Sequence, residues 1–212
     1  LKDIYRNYEN VTDALCETAD MDELVEKSDV IFMALPHGIA SKQVTEDVLK
    51  KTKIIDLGAD FRLKDVDIYE EWYKVNHYNK ALLKEAVYGL CELHREDIRG
   101  ARLLSNPGCY TTCSILSLAP LLKNHLVDPQ SIIIDAKSGV TGAGRSSDTA
   151  FSYCEVNESI KAYKVGSHRH TPEIEQELGL LSGTNLKLLF TPHLTPMNRG
   201  ILALSYANLV TD

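Results

Sequence analysis

Short apolar runs alternate with amphipathic stretches through the first half of the chain. Residues 29–35 (DVIFMAL) are continuously apolar, and residues 53–57 (KIIDL) form a second run. Between them, the periodicity of residues 39–50 puts Ile39 and Val44 on one side of a helix. Strands alternating with helices are typical of a parallel sheet, so the pattern predicts a β-α-β unit whose first run is a central strand.

The pattern changes in the second half of the chain. Residues 131–136 and 186–191 form apolar runs, and residues 200–208 alternate apolar and polar positions more clearly. This predicts an α+β unit with a mainly antiparallel sheet. Residues 110–123 have helical periodicity, and Pro120 should distort that helix near its end.

A domain boundary is predicted near Pro107. A short strand over residues 102–104 leads into the sequence SNPGC, after which the character of the chain changes. We therefore expect residues 1–106 to form part of a Rossmann-like α/β dinucleotide-binding domain. Residues 107–212 are expected to form a catalytic and oligomerisation domain.

Both strands of the predicted β-α-β unit end in loops that carry polar residues. The first strand runs into Pro36, His37 and Gly38, and the second into LGADFR. Open α/β sheets bind ligands at the carboxyl ends of their strands, so both loops are ligand candidates. Ordinary turn chemistry is the alternative explanation.

Composition narrows the class of partner. The formal net charge is -7 and no basic block is present, which disfavours nucleic acid and anionic membranes and favours a small molecule. The five cysteines are an odd number, and only Cys109 and Cys113 lie close together, so we expect reduced thiols and a cytoplasmic protein. No run reaches the roughly 20 apolar residues of a membrane span.

Cys109 is the strongest candidate nucleophile. It follows Pro-Gly at the predicted start of a helix, where unpaired N–H groups and the helix dipole stabilise an anion and lower the pKa of a thiol. The alternative is a small core residue in a turn. Cys113 lies one turn later among Leu and Ile, and for it the core interpretation is favoured.

Two imidazoles, a guanidinium and a carboxylate are concentrated in the sequence GSHRHTPEI. Thr171 and Pro172 predict a helix start, so that His170 is held by the backbone. A histidine that titrates near neutral pH can transfer protons during acyl chemistry. A solvated helix entrance is one alternative. A metal site built on His168 and His170 is weaker, because further ligands at suitable spacing are lacking.

A glycine-rich segment, SGVTGAGR, follows the strand at 131–136. Its glycines let backbone amides approach a phosphate or a flat ring, and Arg145 adds a positive charge. Such loops are often plain turns, and this one is not the Gly-x-Gly-x-x-Gly fingerprint. Arg199, next to Gly200, is another anion-binding candidate whose alternative is a solvated surface charge.

Four separated motifs occur together in one order: SNPGCYTT, SGVTGAGR, HRHTPEI and FTPHLTPMNRGIL. With ALPHG and LGADFR before them, they resemble the N-acetyl-gamma-glutamyl-phosphate reductases of the aspartate-semialdehyde dehydrogenase superfamily through essentially the whole chain. The resemblance implies NADPH-dependent reduction of N-acetyl-glutamyl 5-phosphate to the semialdehyde, with release of phosphate, in arginine biosynthesis. It also implies a homo-oligomer, either a dimer or a tetramer.

The resemblance implies a role for each candidate residue. Cys109 attacks the acyl phosphate to form a thioester, His170 is the acid or base, and Glu173 is a possible orienting partner of His170. The remaining residues are expected to contact ligands. Substrate contacts fall to His168, Arg169, Arg145 and Arg199, and cofactor contacts to Pro36, His37, Gly38, Gly142, Ala143 and Gly144.

The chain also departs from the family pattern. It begins at Leu1, after the strand and Gly-rich turn that hold the cofactor pyrophosphate, and we expect a fragment that also lacks the family's C-terminal end. Alternatives within the class are reductases of aminoadipyl phosphate or aspartyl phosphate. Outside it, the alternatives are a Cys-His hydrolase, which needs no nicotinamide, and a non-catalytic binding module.

Overall fold

The computed structural model describes residues 1–145 and 148–210, which contain two four-stranded sheets. The strands of the first sheet are β1 (Val30–Met33), β2 (Lys53–Asp56), β3 (Val87–Tyr88) and β4 (Leu103–Ser105). They are all parallel in the order β1-β2-β4-β3, which confirms the predicted Rossmann-like sheet. The helices of this half are α1 (Met21–Lys27), α2 (Ala40–Gln43), α3 (Glu46–Lys51), α4 (Val66–Tyr73) and α5 (Cys91–Gly100).

The predicted β-α-β unit is present, but its connection is not the single helix expected over residues 39–50. The chain forms α2 and α3 with a break between them. Val44 is fully buried in an extended conformation, and the Thr45 hydroxyl accepts a hydrogen bond from the Val48 N–H to begin the second helix. Helical periodicity continued across this break because Val44 is buried in either conformation.

The prediction that the first strand is central was wrong for the described sheet. β1 lies at an edge and pairs only with β2 among the described strands. Phe32 is consequently 66% exposed and Val30 is 40% exposed. A continuously apolar run indicates a strand that can be covered on both faces, and it does not say which neighbours cover it.

The second sheet is mixed. Its strands are β5 (Ile133–Gly139), β6 (Lys161–Ala162), β7 (Leu189–Thr195) and β8 (Ile201–Tyr206), in the order β6-β7-β5-β8. The central pair, β5 and β7, is parallel, and the two outer pairings are antiparallel. The expected α+β half with a mainly antiparallel sheet is therefore present around a parallel centre.

Two long helices, α6 (Cys109–Lys123) and α8 (Thr171–Ser182), cover one face of the second sheet, and a short helix, α7 (Tyr153–Val156), precedes β6. Ile134 and Phe190 of the sheet pack with Leu118 of α6 and Leu178 of α8 in a single buried cluster. The helix α6 continues through Pro120 to Lys123, so the expected late distortion does not end it. Tyr88 of the first sheet belongs to the same cluster, so this packing also connects the two sheets.

The start of α8 differs by one residue from the prediction. His170 is the N-cap residue and Thr171 is the first helical residue, while Pro172 follows in the first turn. The Thr171 hydroxyl has no hydrogen-bond partner among the described residues, so it does not cap the helix. Instead, the His170 N–H donates to Nδ1 of His168 at 3.1 Å.

Pro107 lies between β4, the last strand of the first sheet along the chain, and α6, which packs on the second sheet. The division into domains at that residue stays a prediction. Within residues 1–145 and 148–210, no helix is long and apolar enough to cross a membrane.

Candidate active site

The thiol of Cys109 is exposed at the first residue of α6. Gly108 precedes it in an extended conformation, and the Gly108 carbonyl accepts the first hydrogen bond of the helix from the Thr112 N–H at 2.9 Å. The N–H groups of the first helical turn therefore surround the base of the Cys109 side chain, as the sequence predicted.

Two adjoining cavities, of about 420 and 160 Å³, open beside this thiol. The smaller cavity brings His37, Arg62 and His170 to Cys109. The larger cavity extends from the thiol towards the loop before α8 and the glycine-rich segment after β5. Six residues line both cavities, namely Cys109, Tyr110, Gly142, Tyr163, His168 and Arg169.

The His170 ring packs directly against the backbone of the residue before the thiol. A Cβ atom built on Gly108 would lie 2.6 Å from Nε2 of His170 and 3.0 Å from Nη1 of Arg62. Only a residue without a side chain fits there without moving the imidazole. Nδ1 of His170 is buried and has no hydrogen-bond partner among the described residues.

Both histidines of the HRH sequence are held neutral. Burial, with further contributions from Arg62 and Arg169, lowers the pKa of His170 to about 3. Burial, together with His170 and Lys164, lowers the pKa of His168 to about 3. The His168 ring makes edge contacts with Tyr110, Tyr163, Phe190 and His170. Each imidazole therefore presents an unprotonated nitrogen at neutral pH.

Glu173 is fully buried, and its carboxylate faces the turn of the thiol instead of His170. It accepts hydrogen bonds from the Tyr88 hydroxyl at 2.6 Å, the Gly108 N–H at 3.3 Å and Nη1 of Arg62 at 3.4 Å. The expected direct pairing of Glu173 with His170 is thus not formed. The reason is that the buried face of α8 turns this side chain towards the first sheet.

Arg62 is a site residue that the sequence analysis missed. Its Nε donates to the Asn106 carbonyl at 2.8 Å and its Nη2 to the Leu57 carbonyl at 3.1 Å, while Nη1 reaches Glu173. The side chain is buried and also lines the smaller cavity. Its position in LGADFR, a loop already expected to reach the ligand edge, was the available signal.

The two loops at the carboxyl edge of the first sheet are joined by a buried carboxylate. Asp60 accepts hydrogen bonds from the Gly38 N–H at 2.8 Å and the Ser41 N–H at 2.9 Å. Gly38 has a φ of +85°, a conformation that favours glycine. Of the three cofactor candidates in this loop, only His37 lines a cavity, and Pro36 and Gly38 shape the turn that presents it.

The glycine-rich segment reaches the thiol with only part of its length. Gly142 and Ala143 line the larger cavity, whereas Gly144 does not. The Arg145 guanidinium lies 4.4 Å from the centre of the Tyr5 ring, outside both cavities. Arg199 also lies outside them, with its backbone against Gly139. Neither arginine lines the cavities beside the thiol, and their assignment as substrate contacts stays a prediction.

Two lysines line the wall of the larger cavity, and Arg145 and Arg199 do not. Lys161 and Lys164 line the larger cavity together with Arg169, and neither lysine was singled out from the sequence. Within the described part of the chain, no group of three or more His, Cys, Asp or Glu side chains could hold a metal ion. The polar side chains that line the two cavities beside Cys109 are cations, neutral imidazoles, phenols and the Ser138 hydroxyl.

Two families match the chain. Residues 1–101 match the family described as semialdehyde dehydrogenase, NAD binding domain, and residues 109–212 match semialdehyde dehydrogenase, dimerisation domain. The chain belongs to the semialdehyde dehydrogenase family. The resemblance inferred from the motifs is confirmed at this level.

Two similar relatives of this semialdehyde dehydrogenase chain are both named N-acetyl-gamma-glutamyl-phosphate reductase. The chain is 56% identical over 212 residues to N-acetyl-gamma-glutamyl-phosphate reductase of Lachnospira eligens. The alignment covers 99% of this chain and 61% of that protein. The chain is also 57% identical over 206 residues to the protein of the same name from Campylobacter jejuni subsp. jejuni, covering 97% of this chain and 60% of the relative. The chain thus spans about 60% of the length of these relatives.

Solved structures resemble this semialdehyde dehydrogenase chain in fold. Aspartate semialdehyde dehydrogenase II from Vibrio cholerae aligns with a TM-score of 0.61 at 12% identity, over 88% of this chain and 57% of the other. Aspartate semialdehyde dehydrogenase from Francisella tularensis aligns with a TM-score of 0.57 at 14% identity, over 91% of this chain and 61% of the other. At this level of identity the likeness concerns the fold alone.

Proposed function

We propose that the protein containing this chain is an NADP-dependent oxidoreductase that reduces N-acetyl-glutamyl 5-phosphate to N-acetyl-glutamate 5-semialdehyde and releases phosphate, a step of arginine biosynthesis. One observation carries the proposal, namely the exposed Cys109 thiol at a helix start, facing neutral histidines and cations. Relatives at 53–58% identity that carry the reductase name support the choice of substrate.

The first step uses the thiol and the adjacent base. Neutral His170 takes the Cys109 proton, sulfur forms a bond to the acyl carbon, and the carbon–oxygen bond to phosphate breaks to leave a thioester. Cations beside the thiol favour both the thiolate and the departing phosphate, and Arg62 and Arg169 line the cavity in which both lie. Phosphate leaves with the electron pair of the broken bond.

The second step returns the thiol. NADPH supplies the hydride that reduces the thioester carbon when it is bound. The resulting oxyanion collapses, the carbon–sulfur bond breaks, and the Cys109 sulfur recovers the proton held by His170. His168, stacked among aromatic rings, lines the same cavity and is proposed as a substrate contact.

The residues around Cys109 fit the nicotinamide end of such a cofactor. His37 and Gly142 line the smaller cavity together with the thiol, and Nδ1 of His37 is buried with no hydrogen-bond partner among the described residues. A buried, unpaired polar atom calls for a ligand partner such as an amide. Ala143 adds a further wall, and the bends at Pro36, Gly38 and Gly144 present these groups.

We further propose that a second copy of the protein covers the open face of the mixed sheet, giving a dimer or a tetramer of such dimers. The helices α6 and α8 cover the other face, while the side chains of Ile133, Leu189, Leu202 and Tyr206 are between 44% and 58% exposed. An uncovered apolar sheet face is typical of an interface, and the matched dimerisation domain contains it.

All five cysteines are free, and a thiol nucleophile requires reducing surroundings, which supports a cytoplasmic location.

The full-length protein tests the proposal by the loss of NADPH absorbance with N-acetyl-glutamyl phosphate, aspartyl phosphate and aminoadipyl phosphate offered separately. We expect preference for the first substrate and complete loss of turnover in Cys109→Ser. Cys113→Ser is the matched control, because Cys113 lies one turn further along α6 and outside both cavities. Normal turnover by Cys109→Ser, or thioester hydrolysis without NADPH, would overturn the mechanism.

A further inference from the structure

The wall of the larger cavity carries three positive charges without counter-charges. Lys161, Lys164 and Arg169 line it, and none of the described residues that line either cavity is Asp or Glu. No carboxylate of residues 1–145 or 148–210 forms an ion pair with these three side chains. The chain carries 30 acidic residues and a net charge of -7, so this concentration of unpaired cations is a local exception.

The backbone fixes both lysines in place. Lys161 pairs with Leu194 where β6 joins the edge of β7, and the Tyr163 N–H continues this pairing by donating to the Pro192 carbonyl at 3.1 Å. Lys164 follows in the left-handed region with a φ of 46°, and its carbonyl accepts a hydrogen bond from the Ser167 N–H at 3.0 Å. A non-glycine residue in this conformation is uncommon, and here it sets the direction of the chain in the turn that follows β6.

The positive potential of this wall extends to the histidines. Lys164 and Arg169 both contribute to the lowered pKa of His168 and to that of His170. Arg169 lines both cavities, whereas the two lysines line only the larger one. The cations are therefore distributed over both cavities, with Arg169 common to the two.

We infer that Lys161 and Lys164 form an anion-binding wall that holds the carboxylate of the acyl substrate at the end remote from the reacting carbon. This inference rests on the proposed function for the identity of the substrate. Phosphate departs from the carbon that bonds to Cys109, and we place it beside Arg62 and Arg169, the two arginines of the smaller cavity. The rest of the substrate extends into the larger cavity, and its distal carboxylate reaches the two lysines.

The charge of the wall can be measured without turnover. Iodoacetate and iodoacetamide alkylate the same thiolate, and only iodoacetate is an anion. The ratio of the iodoacetate rate to the iodoacetamide rate at Cys109 therefore reports the local potential. Peptide mapping by mass spectrometry separates Cys109 from the exposed Cys16 and Cys154, which serve as internal references. We expect Lys161→Gln/Lys164→Asn to lower the ratio at Cys109 by about three- to tenfold at low salt, and by less in about 0.5 M salt.

Two controls isolate the effect of charge. Lys123→Gln removes an exposed lysine at the end of α6 and should leave the ratio unchanged. Lys164→Gly keeps a residue suited to the left-handed conformation while removing the side chain, so it should match Lys164→Asn. An unchanged ratio in the double variant, at a circular dichroism spectrum equal to that of the wild type, overturns the wall.

Protection experiments decide which anion the lysines hold. N-acetylglutamate and inorganic phosphate are each titrated as protectants of Cys109 against iodoacetamide. In the double variant we expect N-acetylglutamate to protect at least about fivefold more weakly and phosphate to protect almost as before. The reverse result assigns phosphate to the lysines and overturns the inference. If the lysines control the alkylation ratio and N-acetylglutamate protection while the full-length protein does not turn over N-acetyl-glutamyl phosphate, the proposed function fails and the wall stands.

Discussion

The buried carboxylates of helix α8 have cationic partners, whereas the cations in the wall of the larger cavity have no carboxylate partners within residues 1–145 and 148–210. On the side facing the first sheet, each buried carboxylate has a cationic partner: Glu173 pairs with Arg62, and Glu177 lies 2.8 Å from Nε2 of His94. In the wall of the larger cavity, Lys161, Lys164 and Arg169 have no carboxylate partner among the described residues. The paired charges hold the two sheets together around the thiol, and the unpaired charges are available to a ligand.

The largest effect is expected from breaking the buried pair. Glu173→Gln leaves Arg62 buried without its counter-charge and weakens the hold on the Gly108 N–H, so we expect a loss of about 3–5 kcal/mol in the free energy of unfolding. Urea denaturation measures it. Arg62→Met should cost a similar amount, and the double variant should cost clearly less than the sum of the two. Strict additivity would show that the pair does not act as a unit.

A methyl group at the contact between the thiol turn and His170 should have the next largest effect. In Gly108→Ala the new Cβ would meet Nε2 of His170 at 2.6 Å, and we expect a cost of about 1–3 kcal/mol together with slower alkylation of Cys109. Gly100→Ala is the matched control, because nothing lies within 4 Å of a Cβ at that helical position. The control should be neutral or slightly stabilising. Equal stability of both variants would contradict the tight contact.

Acid should destabilise the fold through His168 and His170, which burial keeps neutral. The pKa of His168 and of His170 is about 3 in the folded chain and near 6.5 when unfolded, so between these values the unfolded state binds more protons. Stability therefore falls as the pH drops below about 6.5, and each of the two histidines contributes a loss of up to about 2 kcal/mol by pH 5. Urea midpoints compared between pH 7.5 and 5 test this. The fall should be smaller in His168→Asn/His170→Asn, and an identical fall would exclude these groups as its source.

The paired histidine should show the opposite dependence. Hydrogen bonding to Glu177 raises the pKa of His94, so the folded state binds the additional proton. The stabilisation is fully present below the unfolded value near 6.5 and is lost as the pH rises through the raised folded value. His94→Gln should lower the urea midpoint more at pH 6 than at pH 9. A larger effect at pH 9 would contradict the pairing.

The smallest effect on stability is expected on the cavity side. Lys161→Gln removes an exposed charge that has no carboxylate partner among the described residues, so the free energy of unfolding should change by no more than about 0.5 kcal/mol. Differential scanning calorimetry of the variant and the wild type measures this change. A loss of several kcal/mol would mean that the lysine holds the fold instead of a ligand.

Features carried by local sequence signals were predictable. The helix start at Cys109, the parallel β-α-β unit and the loop that carries His37 at the carboxyl edge of the sheet all follow from neighbouring residues, and the structure has them. The break between α2 and α3 was missed because Val44 is buried and apolar, which satisfies the helical pattern even though its backbone is extended. Periodicity records which side chains are buried and leaves the backbone conformation open.

Features that depend on distant residues were not predictable. The family resemblance suggested Glu173 as a partner for His170, but the packing of α8 directs it to Tyr88 and Arg62. Arg145 drew attention because glycines surround it, whereas Lys161 lies in a strand of two residues, too short to give a pattern. Which cations reach the cavity is decided by the pairing of β6 with β7, and no local signal encodes that pairing.

The hydrogen bonds around Glu173 also bear on the order of folding events. They join positions 111, 85 and 65 residues apart along the chain, to Arg62, Tyr88 and Gly108 respectively. Contacts of such long sequence separation close only after large loops have been ordered, so the turn of Cys109 acquires its geometry when the two sheets dock. The rate at which Cys109 gains its native reactivity during refolding therefore reports the rate at which the two sheets dock.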